Sequence, residues 1–172
     1  MLSEVNLRTI VGGLQLAFRA TLGAAISYGL AKSLGLQYPI YALIAAIIVT
    51  DFASSETTKL GIQRLVATAI GAVCGAALRM ILEPNAASIG LGILLAMLAC
   101  HITKARPGAK MAGYIAALVM LDHGEHPWTY GFFRFVETAL GVSVAWLLSL
   151  VPRLIRMEEP GAADVTNPAP RP

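Results

Sequence analysis

The sequence predicts an all-α integral membrane protein of six transmembrane helices, arranged as two inverted three-helix repeats. Three observations carry that prediction. The 172-residue chain is 56% hydrophobic and only 13% charged, with a mean hydropathy of +0.68, whereas soluble domains carry about 25% charged residues. Its apolar residues gather into six segments. And the stretch RLVATAIG, Arg64 to Gly71, returns as RFVETALG, Arg134 to Gly141.

The six segments are 14–35, 38–53, 61–82, 86–102, 109–122 and 132–152, each judged against the roughly 20 helical residues that cross a ~30 Å hydrocarbon core. The second and fifth are the shortest and have Pro39 and Pro107 near their starts, as expected of tilted or interrupted spans. Residues 1–13 read as a lead-in, with Ser3 placed to cap it. Residues 153–172 hold repeated prolines and no apolar periodicity, so this tail is expected to be a disordered cytoplasmic segment. Arg8 precedes an apolar run, but that run contains Arg19 and no small-x-small cleavage site, so it reads as the first span rather than a signal peptide.

Lys and Arg in the connections set the orientation. Arg8, Lys59, Lys104, Arg106, Lys110, Arg153 and Arg156 fall on one side of a six-crossing arrangement, against Lys32 and Arg79 on the other. Both termini are therefore expected in the cytoplasm, with Trp128 in an outer aromatic belt. The net charge of +3 is scattered rather than gathered in a stripe, which argues against nucleic-acid binding. Cys74 and Cys100 both sit in apolar segments and read as small hydrophobes.

The repeat has an offset of 70 residues and extends upstream through Ala42/Ala112, Ala46/Ala116 and Val49/Val119. It maps the first three spans onto the last three, and a unit with an odd number of crossings must enter the membrane from opposite sides in its two copies. Arg64, Thr68, Gly71 and Gly75 share one helical face, repeated by Arg134, Thr138, Gly141 and Ala145 and echoed by Arg19, Gly23 and Ser27. Gly23, Gly71, Gly75 and Gly141 are read as helix-packing positions, since small residues let backbones approach closely in lipid. The arginines then point into the bundle from the starts of their spans.

Two readings of the arginines stand. Arg19 and Arg64 serve either as cytoplasmic anchors or as anion contacts. Arg134 enters from the outer side, where no positive charge is called for, which suits an anion contact. Glu137 is either an i,i+3 partner of Arg134 or a proton-coupling carboxylate. Asp51 and Asp122 close the second and fifth spans and read as helix-end carboxylates, with Asp51 kept as a coupling candidate. The loop Asp122-His123-Gly124-Glu125-His126 has ligand-type side chains on no fixed scaffold, and no metal or other cofactor is expected. No P-loop, dinucleotide fingerprint, HExxH or nucleophile–base arrangement is present, so the chain is not expected to be an enzyme.

Arg19 with small residues after it, then YPIYALIAAIIVTD, a polar turn and RLVATAIGAVCGA, resembles the membrane domain of the fusaric acid resistance protein-like family, related to aromatic acid exporters. Pro39, Tyr41-Ala42 and Arg64-x-x-Ala67-Thr68-x-x-Gly71 stand at the family's motif positions, with Tyr41 in place of the usual Trp and Ala67 in place of Gly. The resemblance covers roughly 14–152. It implies proton-driven export of small organic, often aromatic, carboxylic acids across the cell inner membrane. Larger members pair such units and add soluble domains, so this chain is expected to complete itself as a homodimer or higher oligomer. On the residues, Arg64, Arg134 and Arg19 are the anion contacts, Thr68 and Thr138 offer hydroxyls, and Glu137 and Asp51 are the coupling candidates. A passive anion channel and a non-transporting assembly subunit are the alternatives.

Overall fold

The computed structural model describes residues 2–103, 105–122 and 126–150. Within them are six α-helices and one short 3₁₀ turn, Arg106–Gly108, and no strand. The helices are α1 (Leu2–Ser33), α2 (Ile40–Val49), α3 (Ser54–Arg79), α4 (Ala86–Ile102), α5 (Ala109–Leu121) and α6 (Pro127–Ser149). They fall on the six expected segments, with α4 matching its segment residue for residue. The expected tail at 153–172 lies outside the described residues.

Boundaries differ where a helix extends beyond its apolar part. The lead-in is no separate element: α1 runs unbroken from Leu2. α3 begins at Ser54, well before the apolar stretch, because its first turns (SSETTK) are helical though polar. Arg64 consequently sits about three turns inside α3, and Arg134 about two turns inside α6, rather than at helix starts.

The stops have local causes. After Ser33, Gly35 adopts φ +68, while the Gly35 and Leu36 amides donate to the Lys32 and Ala31 carbonyls, closing α1 with a left-handed residue that glycine adopts without steric cost. α4 opens with a capping box in which Asn85 accepts from the Ser88 amide and Ser88 accepts from the Asn85 amide. α2 ends where Thr50 turns extended and the Asp51 carboxylate accepts from the Ala53 amide.

Among the described residues three helices are long and apolar enough to cross a membrane: Ile10–Ser33 of α1, Ser54–Arg79 and Pro127–Ser149. α2, at ten residues, covers only about 15 Å as helix. Large apolar side chains such as Leu14, Phe18, Leu94, Leu98 and Phe132 are exposed, whereas the interior is built mostly from Ala, Gly and Val, the composition of close helix packing in lipid.

The packing order crosses the chain's midpoint. α3 packs on α5, α6 and α4, and α6 packs on α3, α2 and α1, while α1 also packs on α2, and α4 on α5. Close approach is enforced by glycine. A Cβ at Gly71 would lie 2.5 Å from the Ala112 carbonyl and 2.9 Å from Ile115 Cβ, and one at Gly75 would lie 2.7 Å from the Ala116 carbonyl. On the other side, a Cβ at Gly141 would collide with the Ala42 carbonyl and stand 2.8 Å from Ala45 Cβ. Gly23 is less tightly held, 3.4 Å from Leu148.

Candidate functional site

The two long inner helices meet along matched faces. On α6, Tyr130, Arg134, Glu137, Thr138, Gly141 and Ala145 are buried; on α3, Gly61, Arg64, Ala67, Thr68, Gly71 and Gly75 are buried. Both sets recur at three- and four-residue steps, one stripe of each helix. Arg64 is 3% exposed, Arg134 2% and Glu137 0%, so three ionisable side chains lie in the interior of a mostly apolar bundle. A buried Arg costs about 2.5–3.5 kcal/mol at a helix centre on insertion scales, and each of these must be offset by specific contacts.

Arg134 is held by an aromatic wall. Its guanidinium carbon sits 3.1 Å from the centroid of the Tyr41 ring on α2, a cation–π contact of about 0.5–2 kcal/mol. The Tyr41 and Tyr130 hydroxyls are 3.3 Å apart. Tyr38 packs edge-on to Tyr130 at 5.2 Å and lies 6.0 Å from Tyr41. One turn along α6, the Glu137 carboxylate accepts the Tyr38 amide at 2.6 Å, beside the N-terminus of α2, where the helix dipole favours an anion. Arg134 Nε and Glu137 Oε2 are buried without a hydrogen-bond partner among the described residues.

Arg64 occupies the corresponding place in the first half. Its Nη1 donates to Met111 Sδ at 2.8 Å, and Met111 is the residue 70 positions after Tyr41. The Tyr114 side chain and the charge of Arg134 both act on Arg64. Its Nε is also buried and unpartnered among the described residues. Where α6 has Glu137, α3 has Ala67, packed so closely on Gly108 that a Cβ there would lie 2.8 Å from Ala67 Cβ. Among the described residues the ion pairs are Lys59–Glu56 and Arg79–Glu83, both at the surface.

The threonines are engaged differently from a free hydroxyl. Thr68 donates to the Arg64 carbonyl and Thr138 to the Arg134 carbonyl, both at 2.8 Å, so each spends its one hydrogen on its own helix and keeps only lone pairs. Asp51 lies at the far end of α2 from Glu137. Its amide donates to Thr57 Oγ1 and its carboxylate holds the Ala53 amide, the geometry of a turn. Arg19 is half-buried on α1 and engaged in a contact of its own; on the same stripe, Ser27 is fully buried with its hydroxyl unpartnered among the described residues. Cys100 is buried, Cys74 half-buried, and both are free thiols. A surface cleft of about 410 Å³ lies elsewhere, between the end of α3 and the start of α6, with Arg79, Glu83, His126 and Trp128 in its lining. No group of three or more metal-ligand side chains occurs among the described residues; residues 123–125 of the His-bearing loop lie outside them.

The family model described as fusaric acid resistance protein-like matches residues 22–148, a stretch containing all of these contacts. The chain belongs to that family. Membership is in keeping with the three apolar helices of spanning length found among the described residues. UPF0421 proteins from two Bacillus cereus strains, ATCC 10987 and ATCC 14579, are each 24% identical over 110 residues, covering 64% of this chain and 31% of the relative. The chain thus spans about a third of the length of these curated relatives. No solved structure matches it.

Reasoning from sequence missed Tyr38, Tyr130, Met111 and Tyr114 as neighbours of the arginines. The 70-residue offset held a signal for one of them, because it pairs Tyr41 with Met111.

Proposed function

We propose that this family member is an inner-membrane exporter of small carboxylated, often aromatic, compounds, coupled to the proton gradient, with both termini in the cytoplasm. The observation that carries the reading is the pair of arginines, buried at 3% and 2% exposure and contacting soft groups, a ring and a thioether, instead of a carboxylate. Such contacts hold a guanidinium in place yet leave its strongest bonding capacity for an anion. Tyr38, Tyr41 and Tyr130 supply an aromatic surface beside Arg134 on which a substrate ring would stack.

The transport scaffold we infer is a pair of inverted three-helix halves, α1–α3 and α4–α6. The packing supports it: exchanging α1 with α4, α2 with α5 and α3 with α6 turns every packed pair of helices into another packed pair. The short helices α2 and α5, continued by non-helical residues at their ends, then complete the crossings as interrupted spans, the arrangement from which transporters build sites at the repeat interface. Glu137 takes the proton-coupling role, being fully buried with one oxygen unpartnered among the described residues. Asp51 shapes the turn after α2.

Uptake and release of radiolabelled benzoate and 4-hydroxybenzoate in proteoliposomes under an imposed pH gradient tests this. Gradient-driven flux that falls at least tenfold in both Arg64→Gln and Arg134→Gln supports the reading. Flux that persists in both variants removes the anion role. Flux that ignores the gradient and survives Glu137→Gln describes a passive channel instead.

A further inference from the structure

The two arginine sites differ in one respect that decides where an external anion binds. Among the described residues the buried Arg, Lys, Asp and Glu side chains are Arg64, Arg134 and Glu137. With the carboxylate ionised, the interior carries one surplus positive charge. Glu137 lies one turn from Arg134 on α6; the equivalent neighbour of Arg64 is Ala67. We infer that Arg64, with Met111 as its displaceable lid and Tyr114 beside it, is where one external monocarboxylate binds while Glu137 is ionised, the Glu137 charge then offsetting that of Arg134 in the other half.

The geometry at Arg64 is that of a site with a stand-in acceptor. Met111 Sδ lies 2.8 Å from Nη1, the separation at which a carboxylate oxygen forms a charge-assisted hydrogen bond, but a thioether is a weak acceptor. Nε, on the other edge of the guanidinium, has no partner among the described residues, so the protein leaves this cation's donors incompletely satisfied. Met111 is half-buried and Tyr114 exposed, so the thioether stands between the guanidinium and the bundle surface. Its three rotatable bonds let it swing aside without moving a helix. Arg106 and Lys110 are exposed at the same end of α5, a basic approach that raises the local anion concentration. The equivalent end of α2 carries Gln37, Tyr38, Pro39 and Ile40, with no basic group.

This rests on the transport reading for its choice of ligand class, and the test separates the two. Benzoate binding to the full chain in nanodiscs is measured by titration calorimetry for the wild type, Met111→Glu and Met111→Gln. Glutamate at 111 places an internal carboxylate on Arg64, while glutamine has the same size and no charge. The expected result is one benzoate per chain, at least tenfold weaker binding in Met111→Glu, and binding in Met111→Gln within about threefold of wild type. Ligand-free Met111→Glu should also unfold at a higher temperature than Met111→Gln, because it neutralises a buried cation. Equal benzoate affinity in Met111→Glu and Met111→Gln, or undiminished binding in Arg64→Gln, overturns the inference. If wild-type vesicles move no benzoate but the chain binds it and Met111→Glu abolishes that binding, the site stands and the transport reading falls. If vesicles do move benzoate and Met111→Glu moves it as well as Met111→Gln, the reverse holds.

Discussion

Replacing Gly141 with alanine adds a single methyl group at the tightest helix contact in the bundle. That Cβ would collide with the Ala42 carbonyl and lie 2.8 Å from Ala45 Cβ, so backbone, not a flexible side-chain tip, must move. Overpacking of this kind costs about 1–3 kcal/mol, and a backbone obstacle puts the cost near the upper end, about 3 kcal/mol. Alanine returns about 1 kcal/mol of helix propensity, leaving a net loss of about 2 kcal/mol. Gly29 on α1 is the control, with nothing within 4 Å of its would-be Cβ; there alanine should gain up to about 1 kcal/mol. For a chain of this size each kcal/mol moves the unfolding midpoint by about 2–4 °C, so the two variants should differ by about 6–12 °C. Thermal unfolding in detergent, followed by fluorescence of Trp128 and Trp146, measures the gap. Midpoints within about 2 °C of one another would show that α2 and α6 do not depend on backbone contact at Gly141.

Other outcomes follow from single contacts. Gly71→Ala should match Gly141→Ala within about 1 kcal/mol, since its Cβ meets the Ala112 carbonyl in the same way; the same melts check it. Tyr41→Phe keeps the ring under Arg134 and loses the hydroxyl contact to Tyr130, so it should cost no more than about 1 kcal/mol, whereas Tyr41→Ala should cost about 3–5 kcal/mol; urea titration of the micellar protein distinguishes them. Glu137→Gln retains an acceptor for the Tyr38 amide and should fold normally while losing gradient coupling, but Glu137→Leu should lose about 1–3 kcal/mol from the unsatisfied amide. Thr68→Val and Thr138→Val remove hydroxyls bonded only to their own helix among the described residues. They should leave benzoate flux within about twofold if those hydroxyls do not reach the substrate, and vesicle assays read this directly.

Much of the architecture was legible because lipid imposes long apolar runs and small-residue stripes, both visible one residue at a time. α4 was placed to the residue, and the arginine-led stripes of α3 and α6 were found from their spacing. Hydropathy marks where a helix is apolar, however, not where it is helical, so α3 appeared to start near residue 61 instead of at Ser54. That shift moves Arg64 from the start of a span to about three turns inside its helix. The surroundings of Arg134 were less legible. Tyr38 and Tyr41 approach it from 90 or more residues away because α2 packs chiefly on α6, with Gly141 against Ala42 at the contact, a long-range pairing that local periodicity does not reveal. The engagement of Thr68 and Thr138 with their own helices was hidden for a different reason: spacing identifies a face but not a rotamer.

The crossing of the midpoint by the glycine contacts has a consequence for biosynthesis. The Ala42 carbonyl and its neighbours are made about a hundred residues before Gly141, the position that fits against them. At about 5–20 residues per second, the first-made helices wait several seconds in or near the translocon before their packing partners exist. During that interval α2 has α1 and α3 beside it, but the glycine and alanine positions that later meet α5 and α6 are unfilled, and Arg64 has no Met111. Newly made first halves in neighbouring translocons present the same unfilled faces, so the ribosome's pace and spacing become part of how this protein avoids pairing with the wrong copy of itself.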